Sequence, residues 1–134
     1  MGTVRKELTT RASGQAIWSA IQDIGALHTR LVPGFVIDTR LEPGARLVTF
    51  ANGVTVREPI VTIDESARRL VWGAQGSLTT HYNASVQVFE DKALASRVVW
   101  IADFLPDSAG SAIDAAMSAG MAAMQRALDA LPPE

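Results

Sequence analysis

The sequence predicts an α+β fold in which a seven-stranded antiparallel sheet wraps around one long C-terminal helix, with two short helices after the first strand. Two observations predict it. Apolar residues recur at three- and four-residue steps from Asp107 to Leu131, which is the spacing of one helix face. From Phe35 to Leu105 the period is two, and turn residues interrupt it at regular intervals, as in an antiparallel meander. A length of 134 residues suits a single domain, residues 1–134, with its own core.

The N-terminal segment predicts one strand and two short helices. Alternating side chains predict the strand from Val4 to Arg11. Ser13 offers a helix cap, and apolar residues follow it at helical spacing, so a short helix is expected from Ser13 to Asp23. Ala26 to Leu31 is expected to form one more helical turn before a Pro-Gly pair redirects the chain.

Six further strands are expected between turn signals. The strongest of these signals is Asn52-Gly53, a pair that favours a tight hairpin. Asp91 and Lys92 are expected to turn the chain between the last two strands. The predicted strands are Phe35 to Glu42, Arg46 to Ala51, Val54 to Asp64, Arg69 to Ala74, Thr79 to Glu90 and Ala95 to Leu105.

The terminal helix has its own boundary signals. Asp107 or Ser108 is expected to cap its first free N–H groups, and Pro132 and Pro133 are expected to end it. Small residues along the helix predict unfilled space against the sheet, lined by methionines, although an ordinary packed core is the alternative. The apolar face comprises Ile113, Met117, Gly120, Met121, Met124, Leu128 and Leu131. The small residues are Ala115, Ala116, Ala119, Gly120, Ala122 and Ala123.

Composition excludes several classes of function. Twelve basic and fourteen acidic residues give a net charge of −2, and no basic run is present, so no nucleic acid partner is expected. The chain has no cysteine, and His28 and His81 lack an acidic cluster, so neither a metal nor another cofactor is expected. No apolar run approaches membrane-spanning length, which predicts a cytoplasmic protein without stable membrane insertion.

Five stretches, taken with the order of the predicted elements, point to a known family: Ile17-Trp18, Asn52 to Glu58, Arg68 to Trp72, the Tyr82 strand and Val98 to Pro106. In their order and spacing the chain resembles the START-like helix-grip superfamily, also called SRPBCC, in its polyketide cyclase/dehydrase-like branch. The resemblance covers nearly the whole chain. It implies a curved sheet around the terminal helix and, between them, a cavity for hydrophobic or amphipathic small molecules.

Strand parity predicts which side chains face that cavity. An inner wall rich in aromatic side chains suits a small hydrophobic or aromatic ligand, including a lipid, unless these side chains meet and fill the space. The loops Ala51 to Val54 and Gln75 to Thr79 are expected to border the entrance. The residues expected to contact the ligand are Val48, Phe50, Glu58, Ile60, Trp72, Tyr82, Trp100, Phe104, Met117, Met121 and Met124.

Glu58 is the residue most open to a chemical role. Parity places its carboxylate with the apolar side chains of its strand, where loss of solvent raises a carboxyl pKa. It could then anchor a ligand hydroxyl or amine, or act as an acid/base with help from the Tyr82 hydroxyl. A salt bridge with Arg46 or Arg57, or a hydrogen bond to Tyr82, is the structural alternative. A bulge at Pro59 would turn Glu58 elsewhere.

Three functions therefore remain open. The first is a carrier that sequesters a small hydrophobic or aromatic molecule, with Glu58 as its polar anchor. The second is a polyketide cyclase/dehydrase-like enzyme in which Glu58 and Tyr82 are catalytic. The third is an interaction protein, with a homodimer as one form, in which a partner covers an outer face formed by Val99 and Ile101.

Overall fold

A computed structural model describes residues 1–76, 78–91 and 95–132 of the chain. Lys92 and Pro133, for which a turn and a helix end were predicted, and Ser77 of the expected entrance loop lie outside the described residues. The strands are β1 (Gly2–Thr10), β2 (Val36–Glu42), β3 (Ala45–Phe50), β4 (Thr55–Asp64), β5 (Arg69–Gly73), β6 (His81–Asp91) and β7 (Ala95–Leu105).

These strands form one antiparallel seven-stranded sheet in the order β1-β7-β6-β5-β4-β3-β2. Sequential neighbours pair as hairpins, except that β1 closes onto β7. The pairing partner sets the ends of each strand. Gly2 pairs with Phe104 and Thr10 pairs with Ser96, so β1 starts and stops earlier than the alternation predicts.

The helical segments lie between β1 and β2 and after β7. They are α1 (Gly14–Gln22), a 3-10 turn (Ile24–Ala26), a π-helical turn (Leu27–Leu31), a second 3-10 turn (Asp107–Ala109) and α2 (Gly110–Asp129). Ser13 caps α1 as predicted, because its hydroxyl accepts a hydrogen bond from the Ala16 N–H at 3.0 Å. The predicted α+β architecture, with short helices after the first strand and a long terminal helix, is confirmed.

The start of α2 differs from its prediction. Neither Asp107 nor Ser108 caps the helix, because a 3-10 turn precedes α2 and its N-cap position is Ala109, which makes no side-chain cap hydrogen bond. The Asp107 carboxylate instead lies 2.7 Å from the N-terminal amino group of Met1.

The apolar face of α2 packs against the sheet as predicted, but the helix ends at Asp129, so Leu131 lies beyond it and is only partly buried. The prediction about its small residues holds in part. Ala116, Met117 and Met124 border unfilled space against the sheet, but only Gly120 and Ala123 of the six small residues are buried, because the others lie outside the stripe that meets the sheet. The exposed ones are Ala115, Ala116, Ala119 and Ala122.

On the outer face of the sheet, Val99 and Ile101 were expected to be exposed or covered by a partner. Instead Val99 is buried and Ile101 is half-buried without any partner chain. Val99 pairs with Glu7 on one side and Gln87 on the other, and Arg97 reaches Glu7 at 3.0 Å, so long polar side chains surround it. Val99 is therefore covered within the chain, whereas Ile101 is covered only in part.

Candidate ligand-binding cavity

A cavity of about 570 Å³ lies between the inner face of the sheet and α2. Its volume falls in the range of small-molecule sites, roughly 300–1,000 Å³. Nearly all of its wall is apolar. Arg46 and Glu58 are the only charged side chains among the described residues that line it. The large side chains of the sheet therefore leave an internal space.

Seven of the eleven residues expected to contact a ligand line this cavity. They come from both walls, the sheet and the helix. Their inward direction follows from the two-residue period of the strands and the helical stripe of α2. These residues are Phe50, Glu58, Trp72, Tyr82, Trp100, Met117 and Met124.

The other four expected residues, Val48, Ile60, Phe104 and Met121, do not line the cavity. The Phe104 ring lies over Gly2, where an added Cβ would come 2.5 Å from its Cε2, so the ring points toward the sheet edge. The pairing of β4 with β5 shifts after Ile60, which redirects the strand there. Val48 is fully buried, and Met121 lies on a flank of the stripe that includes Met117.

Side chains from the segment between β1 and β2 complete the wall, and the sequence analysis did not assign them to the site. Ile21 of α1, Leu27 and Leu31 of the π-helical turn, and Phe35 all line the cavity. The apolar spacing of this segment predicted burial. It did not predict burial against the cavity, because the path of the chain from α1 to β2 depends on tertiary packing.

A buried ion pair supplies the charge in the cavity. Arg46 and Glu58 are cross-strand neighbours on β3 and β4, and Arg46 Nε donates to Glu58 Oε1 at 2.8 Å. The two side chains are 3% and 9% exposed. Arg46 Nη1 also donates to the Ile24 carbonyl at 3.4 Å, and its guanidinium lies 5.5 Å from the Trp72 ring centroid.

Pro59 does not turn Glu58 away from the interior. Pro59 keeps its regular place in the ladder opposite Ala45, and the irregularity in β4 comes after Ile60. Of the two arginines weighed as partners, Arg46 forms the pair with Glu58, whereas Arg57 pairs with Glu42.

Burial shifts the acidity of both polar candidates. Loss of solvent raises the pKa of the Glu58 carboxyl, and the adjacent Arg46 charge opposes that rise. Burial also raises the pKa of the Tyr82 hydroxyl, with a further contribution from the Glu58 charge. The predicted hydrogen bond between Glu58 and Tyr82 does not form, and the Tyr82 hydroxyl has no hydrogen-bond partner within the described ranges.

The strand register places these groups in one row across the sheet. Arg57 bridges Gln75 and Ile60 pairs with Trp72, so Glu58 lies opposite Ala74. Gly73 pairs with Asn83, so Ala74 lies opposite Tyr82. Glu58 and Tyr82 are therefore separated by one strand, and the residue between them has only a methyl group.

The two predicted entrance loops reach the cavity. Ala51, Asn52 and Val54 contribute from the β3–β4 turn, and Gly76, Leu78 and Thr79 contribute from the connection after β5. Val54 and Leu78 are 47% and 61% exposed, which marks this end of the cavity as the side open to solvent.

Trp100 carries an unpaired polar group in this wall. Its indole Nε1 is buried and has no hydrogen-bond partner in the part of the chain that the structure describes. The indole of Trp18, in contrast, donates to the Glu65 carboxylate at 2.6 Å. Because Trp100 Nε1 is itself sealed from the open space, it contributes no accessible donor to the cavity.

The histidines lie away from the cavity. His28 Nδ1 is 3.0 Å from the Thr39 hydroxyl, and His81 is exposed, as predicted. Across residues 1–76, 78–91 and 95–132, no three His, Asp or Glu side chains are grouped so that they could hold a metal ion. None of the helices in these ranges is both long enough and apolar enough to cross a membrane.

Comparisons with known proteins agree with this architecture. Residues 1–133 match a family described as polyketide cyclase / dehydrase and lipid transport. An uncharacterized protein from Bacillus thuringiensis superposes with a TM-score of 0.85 at 20% identity, over 95% of this chain and 98% of that chain. A START superfamily protein from Mycobacterium smegmatis gives a TM-score of 0.71 at 12% identity, over 95% and 94%.

A third solved structure shares the fold as well. Norcoclaurine synthase from Thalictrum flavum, in complex with dopamine and hydroxybenzaldehyde, gives a TM-score of 0.74 at 19% identity, over 96% of this chain and 84% of that chain. No match was found among curated proteins. At these identities the structural likenesses establish the fold alone.

Proposed function

The chain belongs to the polyketide cyclase/dehydrase and lipid transport family and has the START-like helix-grip fold expected from its sequence; from this membership and the cavity, we propose that it binds a small hydrophobic or aromatic molecule and carries or sequesters it. Glu58 serves as the polar anchor in this proposal. A cytoplasmic location and a lipid-like ligand remain predictions of the sequence.

The observation that carries this proposal is an internal space of about 570 Å³ whose wall is almost entirely apolar. Water gains few hydrogen bonds in such a space, so an apolar molecule that replaces it is favoured by the hydrophobic effect. Trp72 and Trp100, with ring centroids 6.4 Å apart, supply flat surfaces that suit an aromatic ligand.

Binding is tested first by native mass spectrometry of the purified protein, followed by titration with the neutral apolar dye Nile red. We expect either a copurified small molecule or dye uptake at one molecule per chain. The absence of both would contradict a binding function.

A pair of matched variants tests whether binding occurs in this cavity. Val54 and Val61 are both exposed valines, but only Val54 lines the cavity entrance. Val54→Trp is expected to slow dye uptake by obstructing the entrance, while Val61→Trp leaves it unchanged. Equal behaviour of the two variants would place the dye elsewhere.

A second function is favoured by the chemistry of Glu58. A buried carboxyl with a raised pKa, in the same row across the sheet as the Tyr82 hydroxyl, suits acid/base catalysis on a polyketide-like, enolisable substrate. In this enzyme, Glu58 would take a proton from the carbon beside a carbonyl and Tyr82 would bind the carbonyl oxygen.

Glu58→Gln separates the two functions. An enzyme that depends on Glu58 should lose about two orders of magnitude or more in the rate of deuterium exchange at the acidic carbon of an aromatic 1,3-diketone. A carrier keeps most of its Nile red affinity after the same change and exchanges the diketone no faster than buffer. The buried position of Val99 does not favour the interaction-module alternative.

A further inference from the structure

We infer that the cavity selects neutral molecules carrying a hydroxyl group, such as phenols, over carboxylate anions and ammonium cations of the same size. This inference rests on the proposed binding function and names its ligand class. It follows from which polar groups of the cavity are already paired and which are free.

The positive charge in the cavity belongs to Arg46 and is already paired with Glu58. Arg46 directs Nε to Glu58 at 2.8 Å and Nη1 to the Ile24 carbonyl at 3.4 Å, and its guanidinium lies 5.5 Å from the Trp72 ring centroid. Its side chain is only 3% exposed. Nη2 of Arg46 makes no hydrogen bond among the described residues, but a carboxylate that reached it would also lie beside the Glu58 carboxylate, and the two like charges would repel each other. No other cation lines the cavity within the described residues, so the entering carboxylate would lose its water without gaining an unpaired positive charge.

A cationic ligand meets the opposite difficulty. The Glu58 carboxylate is already paired with Arg46, so an ammonium ion drawn to Glu58 would lie beside the guanidinium. The two like charges would repel each other in surroundings that screen them poorly. The pair has no net charge and therefore favours a ligand without one.

Glu58 and Tyr82 each retain a polar atom that can form a hydrogen bond with a ligand. Hydrogen bonding uses Oε1 of Glu58 and leaves Oε2, and the Tyr82 hydroxyl has no partner among the described residues. Ala74, the residue between them in the row across the sheet, leaves the space above it open. The accessible polar groups therefore face a gap that a ligand group could occupy.

A hydroxyl group matches this gap because it both donates and accepts hydrogen bonds. Its O–H would donate to Glu58 Oε2, and its oxygen would accept from the Tyr82 O–H. The ligand's ring system would then extend along the apolar wall past Trp72 and Trp100. A hydrocarbon without the hydroxyl would leave both groups unpaired.

The test uses four ligands with one ring system: 2-naphthol, 2-naphthoate, 2-naphthylmethylammonium and naphthalene. The affinity of each ligand is measured by its displacement of Nile red from the protein at about pH 7, where 2-naphthol is neutral. We expect 2-naphthol to bind at least about tenfold more tightly than the two ions. Tyr82→Phe should weaken 2-naphthol binding by about 3- to 10-fold, which is the loss of one hydrogen bond, and leave naphthalene binding unchanged.

The outcomes separate this inference from the function on which it rests. If Nile red and all four ligands fail to bind, the proposed function fails and the inference fails with it. If naphthalene binds but 2-naphthoate or the ammonium ligand binds as tightly as 2-naphthol, the function stands and the inference is overturned. If Tyr82→Phe lowered the affinities for 2-naphthol and naphthalene equally, the inference would also be overturned, because Tyr82 would then contribute by packing and not by its hydroxyl.

Discussion

A Cβ atom placed on Gly120 would lie 2.8 Å from Cζ3 of Trp100, so α2 meets the sheet at this point with no side chain between them. The same atom would lie 3.2 Å from Cε2 of Phe35. Both rings line the cavity, and the absence of a side chain at Gly120 therefore sets the position of part of its wall.

Gly120→Ala is expected to destabilise the protein relative to Gly110→Ala in the same helix. Alanine favours a helix interior over glycine by about 1 kcal/mol, which applies in full at Gly120 and less at Gly110, the first residue of α2. At Gly110 the new methyl group meets Phe104 at an ordinary 3.6 Å, but at Gly120 it collides with Trp100 and costs about 1–3 kcal/mol. Urea unfolding of both variants measures the difference, and equal stabilities would contradict the predicted collision.

Trp18→Phe is expected to cost about 1–2 kcal/mol more than Trp100→Phe. Both tryptophans are buried and lose similar volume, but only Trp18 loses a hydrogen bond, to the Glu65 carboxylate at 2.6 Å. Trp100→Phe removes a buried donor that has no partner among the described residues. Chemical denaturation measures the unfolding free energy of both variants. A larger loss of stability in Trp100→Phe than in Trp18→Phe would contradict the prediction that Trp100 Nε1 is unpaired.

Glu58→Leu is expected to destabilise the protein by about 3–5 kcal/mol, because it leaves the Arg46 charge buried without its partner. Adding Arg46→Met to this variant should restore most of the loss, since an apolar pair of similar size needs no desolvated charge. Unfolding free energies of the single and double variants test this. A double variant no more stable than Glu58→Leu would show that the ion pair itself holds β3 against β4.

The pH dependence of stability should show the raised pKa of Glu58. The folded state holds this proton more tightly than the unfolded state, so the contribution of Glu58 to stability falls as pH rises from about 4.5 through the folded-state pKa. The lowered pKa values of Glu7 and Asp64 act in the opposite sense, with stability lost as pH falls.

Glu58→Gln isolates this effect because it leaves Glu7 and Asp64 in place. We expect the unfolding free energy of the natural protein minus that of the variant to decrease as pH rises from about 4.5 to the folded-state pKa of Glu58. Above that pKa the difference should level off. Denaturant unfolding at a series of pH values measures the difference. An increase with pH would mean that the Arg46 charge outweighs burial.

Much of the cavity could be predicted from single strands and helices. Tyr82 and Val86 share a parity on β6, and Met117 and Met124 share a face of α2, and all four line the cavity. The prediction placed Phe104 and Met121 there too, although neighbouring elements direct them away. Parity gives the face on which a side chain lies, and it does not give the neighbour that the side chain meets.

The sequence by itself determined the periods of two and 3.6 residues, the turns and hence the α+β architecture, because these depend on residues close together along the chain. Only the tertiary structure decided that Arg46 pairs with Glu58, that Ala74 separates Glu58 from Tyr82, and that about 570 Å³ stays unfilled. Strand register and the space between sheet and helix depend on contacts between residues distant in sequence. The periodicity of a single strand or helix does not specify those contacts.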